Sequence, residues 1–414
     1  MIRVIAFLGK LPENPRLVTY AYDGFKYQGV VFPEALCQFM HFDEMIVFVT
    51  EVARQTAYPY LDRLGDQRIV AVDIPDGRTP DERRLIFEKL LNVVEDGDRV
   101  IFDVTHGFRS IPFFAFLAVA FLKSARQNVT VERILYGELG QDGQPGQIID
   151  LTEYLDLLDW MSATDQFVNL GNSHALVNRV KEAALDDQTP DADRSILQEL
   201  ATSLDNVSRS LHLAIPDMTM SAAFQLQNSL DQAREILKRD LRPFLPLANR
   251  VEAAFEPMMM ADASDPANVW RTLTRERAIV NWYLERKLLF QAIAMAFEWL
   301  RSYGLAYCGS TELYRYRARN RLGNQYNTIY SLERQSRENE LSPRESEQLQ
   351  AARTELESIP NLDRLLDLYK QAKELRNDLM HISRSHRTGK TPADREEEIR
   401  EVCRQLNDFP LPDM

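Results

Sequence analysis

The sequence is organised around Asp103-Val104-Thr105-His106-Gly107-Phe108-Arg109-Ser110-Ile111-Pro112. The short apolar run 99–102 before it is typical of a buried parallel strand, and the apolar run 113–123 after it is typical of a buried helix. The polar decapeptide is therefore a strand-to-helix turn, where open α/β sheets bind ligands. Free N–H groups at the start of the helix favour an anion there. An ordinary turn, with Ser110 as a helix cap and Asp103 tied into the loop, explains the same residues equally well.

Strands and helices alternate over the first 150 residues. Apolar runs predict strands at Ile2–Leu8, Met45–Val49, Arg68–Ile74, Asp98–Phe102 and Val129–Tyr136. Asp23-Gly24 predicts a hairpin between residues 19–22 and 27–32, and helices are expected from Pro33 and over 79–94. This alternation predicts an α/β, Rossmann-like, doubly wound and mostly parallel sheet. The Gly-rich residues 139–150 are interpreted as a turn or linker.

Three strand ends should meet at one edge of this sheet. They end in Gly9-Lys10, in Thr50-Glu51 and in the decapeptide. Lys10 and Arg109 are candidate phosphate contacts, although Lys10 could equally be a solvated surface lysine. No Gly-x-Gly-x-x-Gly follows the first strand, which argues against a dinucleotide cofactor. The candidate residues for binding a small anionic ligand are Gly9, Lys10, Thr50, Glu51, Asp103, Thr105, His106, Gly107, Arg109 and Ser110.

Composition places the chain among globular proteins. Its 414 residues carry a net charge of −13, which is unlike a stable nucleic-acid platform and favours brief contact with RNA through a local patch. No apolar run is long enough to span a bilayer, and the sequence starts directly with a strand, so we expect a cytoplasmic protein without a membrane partner. The three cysteines and the acidic residues have no metal-ligand spacing, so no metal or other cofactor is expected.

Helical periodicity replaces strand patterns after residue 150. Residues 151–170 are predicted to form a connecting helix, with Tyr154, Leu157, Leu158 and Met161 on its apolar face. Residues 171–414 should form an all-α domain. Its expected helices are 175–185, 194–214, 221–240, 271–303, 342–358, 362–382 and 394–406.

The chemistry of the helical part is placed at Arg376-Asn377-Asp378-Leu379-Met380-His381. A histidine can exchange a proton near neutral pH, and an arginine can bind a phosphate in a forked geometry. The candidate catalytic residues are Arg376, Asn377 and His381. A spacing of five puts Arg376 and His381 about 140° apart on an ideal helix, so one copy makes a poor site unless the helix ends near His381 or a second chain completes it. Alternatively, Arg376 is an ion-pair partner and His381 a cation at a helix end.

Two other segments are basic. Residues 384–390 follow the motif, and residues 314–321 interleave tyrosines with arginines. The second pattern suits single-stranded RNA, through phosphate contacts and stacking, but it also suits a solvated helix face.

Two motifs carry a resemblance to known families. Asp103-x-Thr105-His106-Gly107 resembles the signature of the DxTHG family of CRISPR-associated proteins, and Arg376-x4-His381 with Asn377 resembles that of HEPN ribonucleases. The resemblance implies a CARF ligand-sensing domain over 1–150, a connecting helix over 151–170 and a HEPN ribonuclease domain over 171–414. It also implies a homodimer or higher assembly, activated by a cyclic oligoadenylate, of which cyclic tetra-adenylate is the expected form. The implied function is a metal-independent endoribonuclease that cleaves single-stranded RNA in type III CRISPR antiviral defence.

Two alternatives remain open from the sequence. The chain could be a nucleotide-responsive regulatory or binding protein whose helical domain cuts nothing. The α/β domain could also degrade its own cyclic oligoadenylate. RNA cleavage with and without the activator separates the first alternative from a nuclease, and ligand decay tests the second.

Overall fold

The computed structural model describes most of the chain, which divides into two compact units, residues 1–159 and 160–414. The apolar run after the central turn is described only at residues 117, 118 and 120–122, which are helical. The described residues are 1–106, 117–118, 120–122, 125–126, 128–138, 140, 145–186, 189–241, 244–380 and 390–412.

The strands of the first unit form one mixed sheet. They are β1 (Ile2–Leu8), β2 (Val18–Tyr22), β3 (Phe25–Gly29), β4 (Glu44–Val49), β5 (Ile69–Asp73), β6 (Arg99–Asp103), β7 (Thr130–Gly137) and β8 (Gly146–Asp150). Their order is β3-β2-β8-β7-β6-β1-β4-β5. The pairs β1–β4, β1–β6, β4–β5 and β6–β7 are parallel. Strands β4 and β5 therefore lie on one side of β1, and β6 and β7 lie on the other side. Ligand crevices of doubly wound sheets lie where the strand order reverses in this way.

The central strands are buried on both faces. On β1, Val4, Ala6 and Leu8 pack into one hydrophobic cluster, whereas Ile5 and Phe7 pack into another on the opposite face. This period of two follows from the alternation of side chains along a strand. The helices of this unit are α1 (Phe32–Phe39), α2 (Glu51–Thr56), α3 (Tyr58–Asp62) and α4 (Pro80–Asn92). Helices α1 to α3 contribute to the first cluster and α4 to the second, so the sheet lies between helical layers.

The predicted linker at 139–150 is wrong at its end. Residues 146–150 form β8, which pairs antiparallel with β7 and parallel with β2. The strand carries only two adjacent apolar residues, Ile148 and Ile149, so its pattern is too weak to stand out beside the glycines. The predicted hairpin at Asp23-Gly24 is confirmed, although residues 30–32 lie outside β3 and lead into α1.

The second unit is helical throughout its described residues. Helix α5 (Glu153–Leu170) begins in the first unit and continues into the second. It is followed by α6 (His174–Leu185), α7 (Asp191–His212), α8 (Pro216–Arg239), α9 (Leu245–Phe255), α10 (Val269–Glu285), α11 (Leu289–Tyr307), α12 (Tyr316–Glu338), α13 (Pro343–Glu355), α14 (Leu362–Met380) and α15 (Pro392–Gln405).

The prediction of a single helix over 271–303 is wrong, because the helix is interrupted between α10 and α11. Lys287 has a φ of +58° there, a left-handed conformation that cannot continue an α-helix. Both halves are apolar on their inner faces, so periodicity alone gave no sign of the break. Helices α9 and α12 were not predicted. The first starts beside prolines, and the second has few apolar residues.

The predicted apolar face of α5 is also wrong. Tyr154 and Met161 are each 51% exposed. The buried stripe instead contains Trp160, Ala163 and Phe167, which lie in the core of the second unit. These residues have the same three- and four-residue spacing as the predicted stripe, so sequence periodicity could not separate the two faces.

No helix in the described ranges is long and apolar enough to cross a membrane.

Candidate functional site

The carboxyl ends of β1, β4 and β6 meet at one edge of the sheet. Leu8 lies opposite Val49, and Ala6 lies opposite Asp103. The loops that follow these strands therefore start from neighbouring positions. They carry seven of the ten candidate ligand-binding residues: Gly9, Lys10, Thr50, Glu51, Asp103, Thr105 and His106. The other three, Gly107, Arg109 and Ser110, lie outside the described residues.

Thr50 and its neighbour have different roles at this edge. Thr50 is buried and caps α2, since its hydroxyl accepts a hydrogen bond from the Ala53 N–H at 3.2 Å. Glu51 and Lys10 are exposed. Glu51 and Lys10 therefore place an acid and a base on the solvent side of the edge, while Thr50 fixes the start of α2.

Asp103 and Thr105 fold the central turn onto the sheet. The Asp103 carboxylate accepts a hydrogen bond from the Thr105 N–H at 2.8 Å, and the Thr105 hydroxyl accepts one from the Gly137 N–H at 2.8 Å. Gly137 has no room for a side chain, because a Cβ there would meet the Phe32 ring at 2.7 Å. The Asp-x-Thr part of the motif therefore ties β6, the turn and the end of β7 together.

His106 connects the turn to the start of α1. Its Nε2 accepts a hydrogen bond from the Phe32 N–H at 3.0 Å. The ring must be neutral to accept there, so its hydrogen lies on Nδ1, which is the one ring atom able to donate to a ligand. Burial lowers the pKa of His106 to about 4, in keeping with a neutral ring.

A buried carboxylate in the first turn of α1, that of Glu34, also fixes the start of this helix. Glu34 is 0% exposed and accepts hydrogen bonds from the N–H groups of Val30 and Val31 at 2.6 and 2.9 Å. Its second oxygen pairs with Arg63 at 2.8 Å. Sequence reasoning missed Glu34. The signal was a glutamate at the third position of a helix that begins at Phe32, but Val31 is an unusual residue to precede such a helix.

Two buried oxygens near the turn have unused hydrogen-bonding capacity. The Asp103 Oδ2 and the Tyr20 hydroxyl have no hydrogen-bond partner within the described part of the chain. Burial raises the pKa of Asp103 to about 7, and burial with the nearby Asp103 carboxylate raises the pKa of Tyr20. Tyr20 lies on β2 and was not among the candidate residues. The turn therefore rests on polar groups that could accept or donate further hydrogen bonds.

The pH dependence of stability tests the His106 contact. Since its pKa is lowered from 6.5 to about 4, the neutral ring contributes stability above pH 6.5 that is lost as the pH falls through 4. The contribution of Asp103 to stability has the opposite pH dependence. The pKa of Asp103 is raised from 3.8 to about 7, so its contribution is present below pH 3.8 and is lost as the pH rises through 7. A glutamine side chain can accept a hydrogen bond from the same Phe32 N–H and does not titrate. We therefore expect His106→Gln to remove the loss of stability at acid pH and to leave the loss at higher pH unchanged.

The measurement is the thermal unfolding midpoint of the parent and His106→Gln between pH 4 and 8. His41→Gln is the control, because His41 is exposed. The same acid profile in the parent and in His106→Gln would contradict the proposed role of the ring.

The second predicted site lies on α14 of the helical unit. The Arg376 guanidinium lies over the Phe297 ring, with its Cζ 4.7 Å from the ring centroid. Arg301 lies over the same ring at 4.4 Å, and Phe297 stacks on Tyr369 with 5.0 Å between centroids. The Nε atoms of both arginines are buried and have no hydrogen-bond partner among the described residues. Arg301 also pairs with Glu298 at 3.7 Å, whereas Arg376 has no ion-pair partner in the described part of the chain, so the Arg376 guanidinium can bind an anion.

The neighbours of Arg376 differ in what they contact. Asn377 is half-buried on the same helix. Asp378 pairs with Arg395 of α15 at 2.7 Å. His381 and most of the predicted basic segment, residues 384–389, lie outside the described residues. Lys390 is described, and its amino group is paired with Glu398.

A cavity of about 710 Å³ lies between α14 and α15. Among the described residues of its wall, two basic side chains, Lys390 and Arg395, face six acidic ones: Glu374, Asp378, Asp394, Glu397, Glu398 and Glu401. No group of three or more His, Cys, Asp or Glu side chains able to hold a metal ion is found in the described ranges.

Comparisons with known proteins give one sequence match in the middle of the chain. Residues 156–258 match the family described as CRISPR-associated protein MJ1674, second domain. The CRISPR-associated protein MJ1674 of Methanocaldococcus jannaschii is 33% identical over 99 residues, which make up 23% of this chain and 15% of that protein. The match therefore covers a small part of the relative, and it starts within α5, close to the division between the two units.

A comparison with solved structures gives an alignment over nearly the whole chain. The aligned structure is Enterococcus italicus Csm6 bound to cyclic hexa-2'-fluoro-hexa-dAMP, and the alignment covers 98% of this chain and 93% of that chain. The identity is 10% and the TM-score is 0.40. This likeness is too distant to carry a conclusion about fold or function.

Proposed function

We propose that this chain is a cyclic-oligoadenylate-activated endoribonuclease of type III CRISPR antiviral defence. The observation that carries the proposal is the juxtaposition of two features along the chain. The Asp-x-Thr-His part of the motif lies at the carboxyl edge of a doubly wound sheet, and the segment after that sheet, residues 156–258, matches a domain of a CRISPR-associated protein.

We assign the two proposed functions, ligand sensing and RNA cleavage, to different parts of the chain. Residues 1–150 are the CARF sensor, residues 151–170 are the connecting helix, and residues 171–414 contain the HEPN ribonuclease. The observed division at residues 159 and 160 falls within α5, and the MJ1674 match extends only to residue 258. The proposed catalytic residues lie beyond that match, on α14 and just after it.

The sensor edge would bind the phosphates and bases of the activator. Lys10 is exposed beside the end of β1, and the Nδ1–H of His106 is the ring's available donor. Arg109 and the helix that we expect after the turn would add positive charge. The buried Asp103 would hold the turn through its Oδ1, which accepts from the Thr105 N–H, and its Oδ2, which has no partner among the described residues, would be left for a contact with the ligand.

The nuclease chemistry requires only side chains. His381 would take the proton from the 2′-hydroxyl of the RNA or return one to the leaving 5′-oxygen. Arg376 would bind the phosphate and stabilise its developing charge, and Asn377 would orient either the phosphate or the histidine. A homodimer with two such helices facing each other would complete the site. No metal ion takes part in these steps.

Lys10 provides a test of the sensor. We expect Lys10→Ala to weaken binding of cyclic tetra-adenylate by about ten- to a hundredfold, since one charge-assisted phosphate contact is worth about 1.5–3 kcal/mol. Arg109→Ala should have a similar effect. Calorimetric titration of the full-length protein measures both.

Lys26→Ala is the matched control for Lys10. Lys26 is also an exposed lysine of the sheet, but it lies on β3 at the far side of the strand order. If Lys10→Ala and Arg109→Ala bind cyclic tetra-adenylate with the affinity of the parent, the activator does not bind at this edge of the sheet. Mass measurement of the ligand after the titration shows whether the sensor degrades it.

Cleavage of a labelled single-stranded RNA with and without cyclic tetra-adenylate tests the proposal as a whole. We expect cleavage to depend on the activator and to persist in chelator. Activator binding without any cleavage would favour the regulatory alternative.

A further inference from the structure

A polar groove of about 600 Å³ lies between α12 and α13 of the helical unit, and it is separate from the wall that carries Asp378. Its α12 wall contains residues three or four apart, which a helix places on one face. These are Tyr316, Arg317, Asn320, Arg321 and Asn324. Helix α13 contributes Gln348 and the small apolar residues Ala351 and Ala352.

The arginines of this segment divide into inward and outward positions. Arg319 is held in the interior, where it pairs with Glu298 at 2.7 Å and donates to the Ser302 hydroxyl at 3.0 Å. Tyr314 is likewise tied to the buried Glu276, at 2.8 Å. The interpretation of residues 314–321 as one continuous basic and aromatic patch is therefore wrong. Tyr314 and Arg319 are therefore not available to a ligand, whereas the exposed residues that face the groove are.

The positive charge of the groove is weakly neutralised. Arg317 is exposed and has no ion-pair partner within the described part of the chain. Arg321 lies 3.3 Å from Glu355, and their side chains are 76% and 52% exposed. An ion pair this exposed is worth little, so a phosphate could replace the carboxylate as the partner of Arg321. The groove contrasts with the cavity between α14 and α15, where six acids outnumber two bases among the described residues.

The remaining groups suit nucleobases. Tyr316 is 77% exposed at the start of α12, and an exposed aromatic ring can stack on any base. The amides of Asn320, Asn324 and Gln348 each offer both donors and an acceptor, as the edges of unpaired bases require. An acidic peptide would use the two arginines but neither the ring nor this row of amides.

We propose that the α12–α13 groove binds single-stranded RNA. In this arrangement Arg317 and Arg321 contact phosphates, Tyr316 stacks on a base, and the amides contact base edges. The inference rests on the proposed function, because it assigns a binding surface for the substrate of the proposed nuclease. It adds a contact region on a different helix from Arg376.

The test measures RNA binding apart from cleavage. The probe is a fluorescent single-stranded oligonucleotide with a 2′-O-methyl group at every position, which removes the attacking hydroxyl. We expect Arg317→Ala with Arg321→Ala to weaken binding to the full-length protein by at least about tenfold. The slope of log affinity against log salt should fall by about 1.4, since each phosphate contact on a single strand contributes about 0.7. Tyr316→Ala should lose about tenfold, and Tyr316→Phe should bind as the parent does.

The matched control is Arg334→Ala with Arg337→Ala, which removes the same charge from the same helix outside the groove. Parent-like binding by the groove variants, or an equal loss in the control, would overturn the proposal. Equally effective competition by polyglutamate of the same charge would also overturn it, because the site would then recognise charge alone. Binding that depends on the groove in a protein that never cleaves RNA would contradict the nuclease and leave the groove assignment in place.

Discussion

Arg376→Ala and His381→Ala are each expected to lower activated RNA cleavage by at least about a hundredfold. The loss of one group that stabilises developing charge costs about 10²–10³ in rate, and the loss of a general acid or base costs about 10²–10⁴. The measurement is the single-turnover rate on labelled RNA at saturating activator. Arg376→Lys should recover only part of the activity, because lysine keeps the charge but lacks the forked geometry.

Arg364→Ala is the matched control for Arg376→Ala. Arg364 lies on α14 as well, and its guanidinium also lies over an aromatic ring, Phe409 at 5.6 Å, but unlike Arg376 it has a carboxylate partner among the described residues, Asp408 at 2.6 Å. Tryptophan fluorescence should show intact folding in all variants. Substantial cleavage by both Arg376→Ala and His381→Ala would move the active site elsewhere. Cleavage lost equally in Arg364→Ala would indicate a structural effect.

Glu34→Ala is expected to have the largest effect on the stability of the sensor unit, about 3 kcal/mol. Its carboxylate is buried and satisfies two backbone N–H groups as well as Arg63. Removal of a buried acceptor leaves donors unsatisfied, and each such donor costs about 1–3 kcal/mol. Because the same carboxylate fixes the start of α1, on which His106 rests, activator affinity should fall as well.

Hydrogen exchange followed by mass spectrometry can assign this loss to the correct unit. The amides of β1 and β4 should exchange faster in Glu34→Ala. The four tryptophans are residues 160, 270, 282 and 299, so fluorescence reports only on the helical unit and should stay unchanged. Glu88→Ala, at an exposed position of α4, is the control. Unchanged protection of β1 in Glu34→Ala would contradict the structural role of the buried carboxylate.

The sequence predicted the central sheet well because its strands are buried on both faces. Runs such as Ile2–Leu8 and Met45–Val49 contain almost no polar residue, and β1 was predicted at its observed bounds. The helix expected from residue 342 begins there with a capping box, in which the Ser342 hydroxyl accepts from the Glu345 N–H. Both signals are local. β8 could not be found in the same way, because its assignment depends on the strands beside it.

The candidate sensor edge could be located from the sequence, but its internal contacts could not. Parallel strands that end in polar loops predicted that Lys10, Thr50 and Asp103 follow neighbouring strand ends, and the register agrees. The contacts of His106 with the Phe32 N–H and of Thr105 with the Gly137 N–H join residues 74 and 32 positions apart. No periodicity reports such pairs. For the same reason, Arg376 could be proposed from its motif, whereas its packing on Phe297 could not.

The central claim is that an activator bound by the sensor switches on metal-independent RNA cleavage by the helical unit. Analysis of the RNA ends by mass spectrometry, in the presence of chelator and with or without cyclic tetra-adenylate, tests it most directly. Attack by the 2′-hydroxyl predicts products with 2′,3′-cyclic phosphate and 5′-hydroxyl ends, formed only when the activator is present. Intact RNA in the presence of activator, or products with 3′-hydroxyl and 5′-phosphate ends, would contradict the claim.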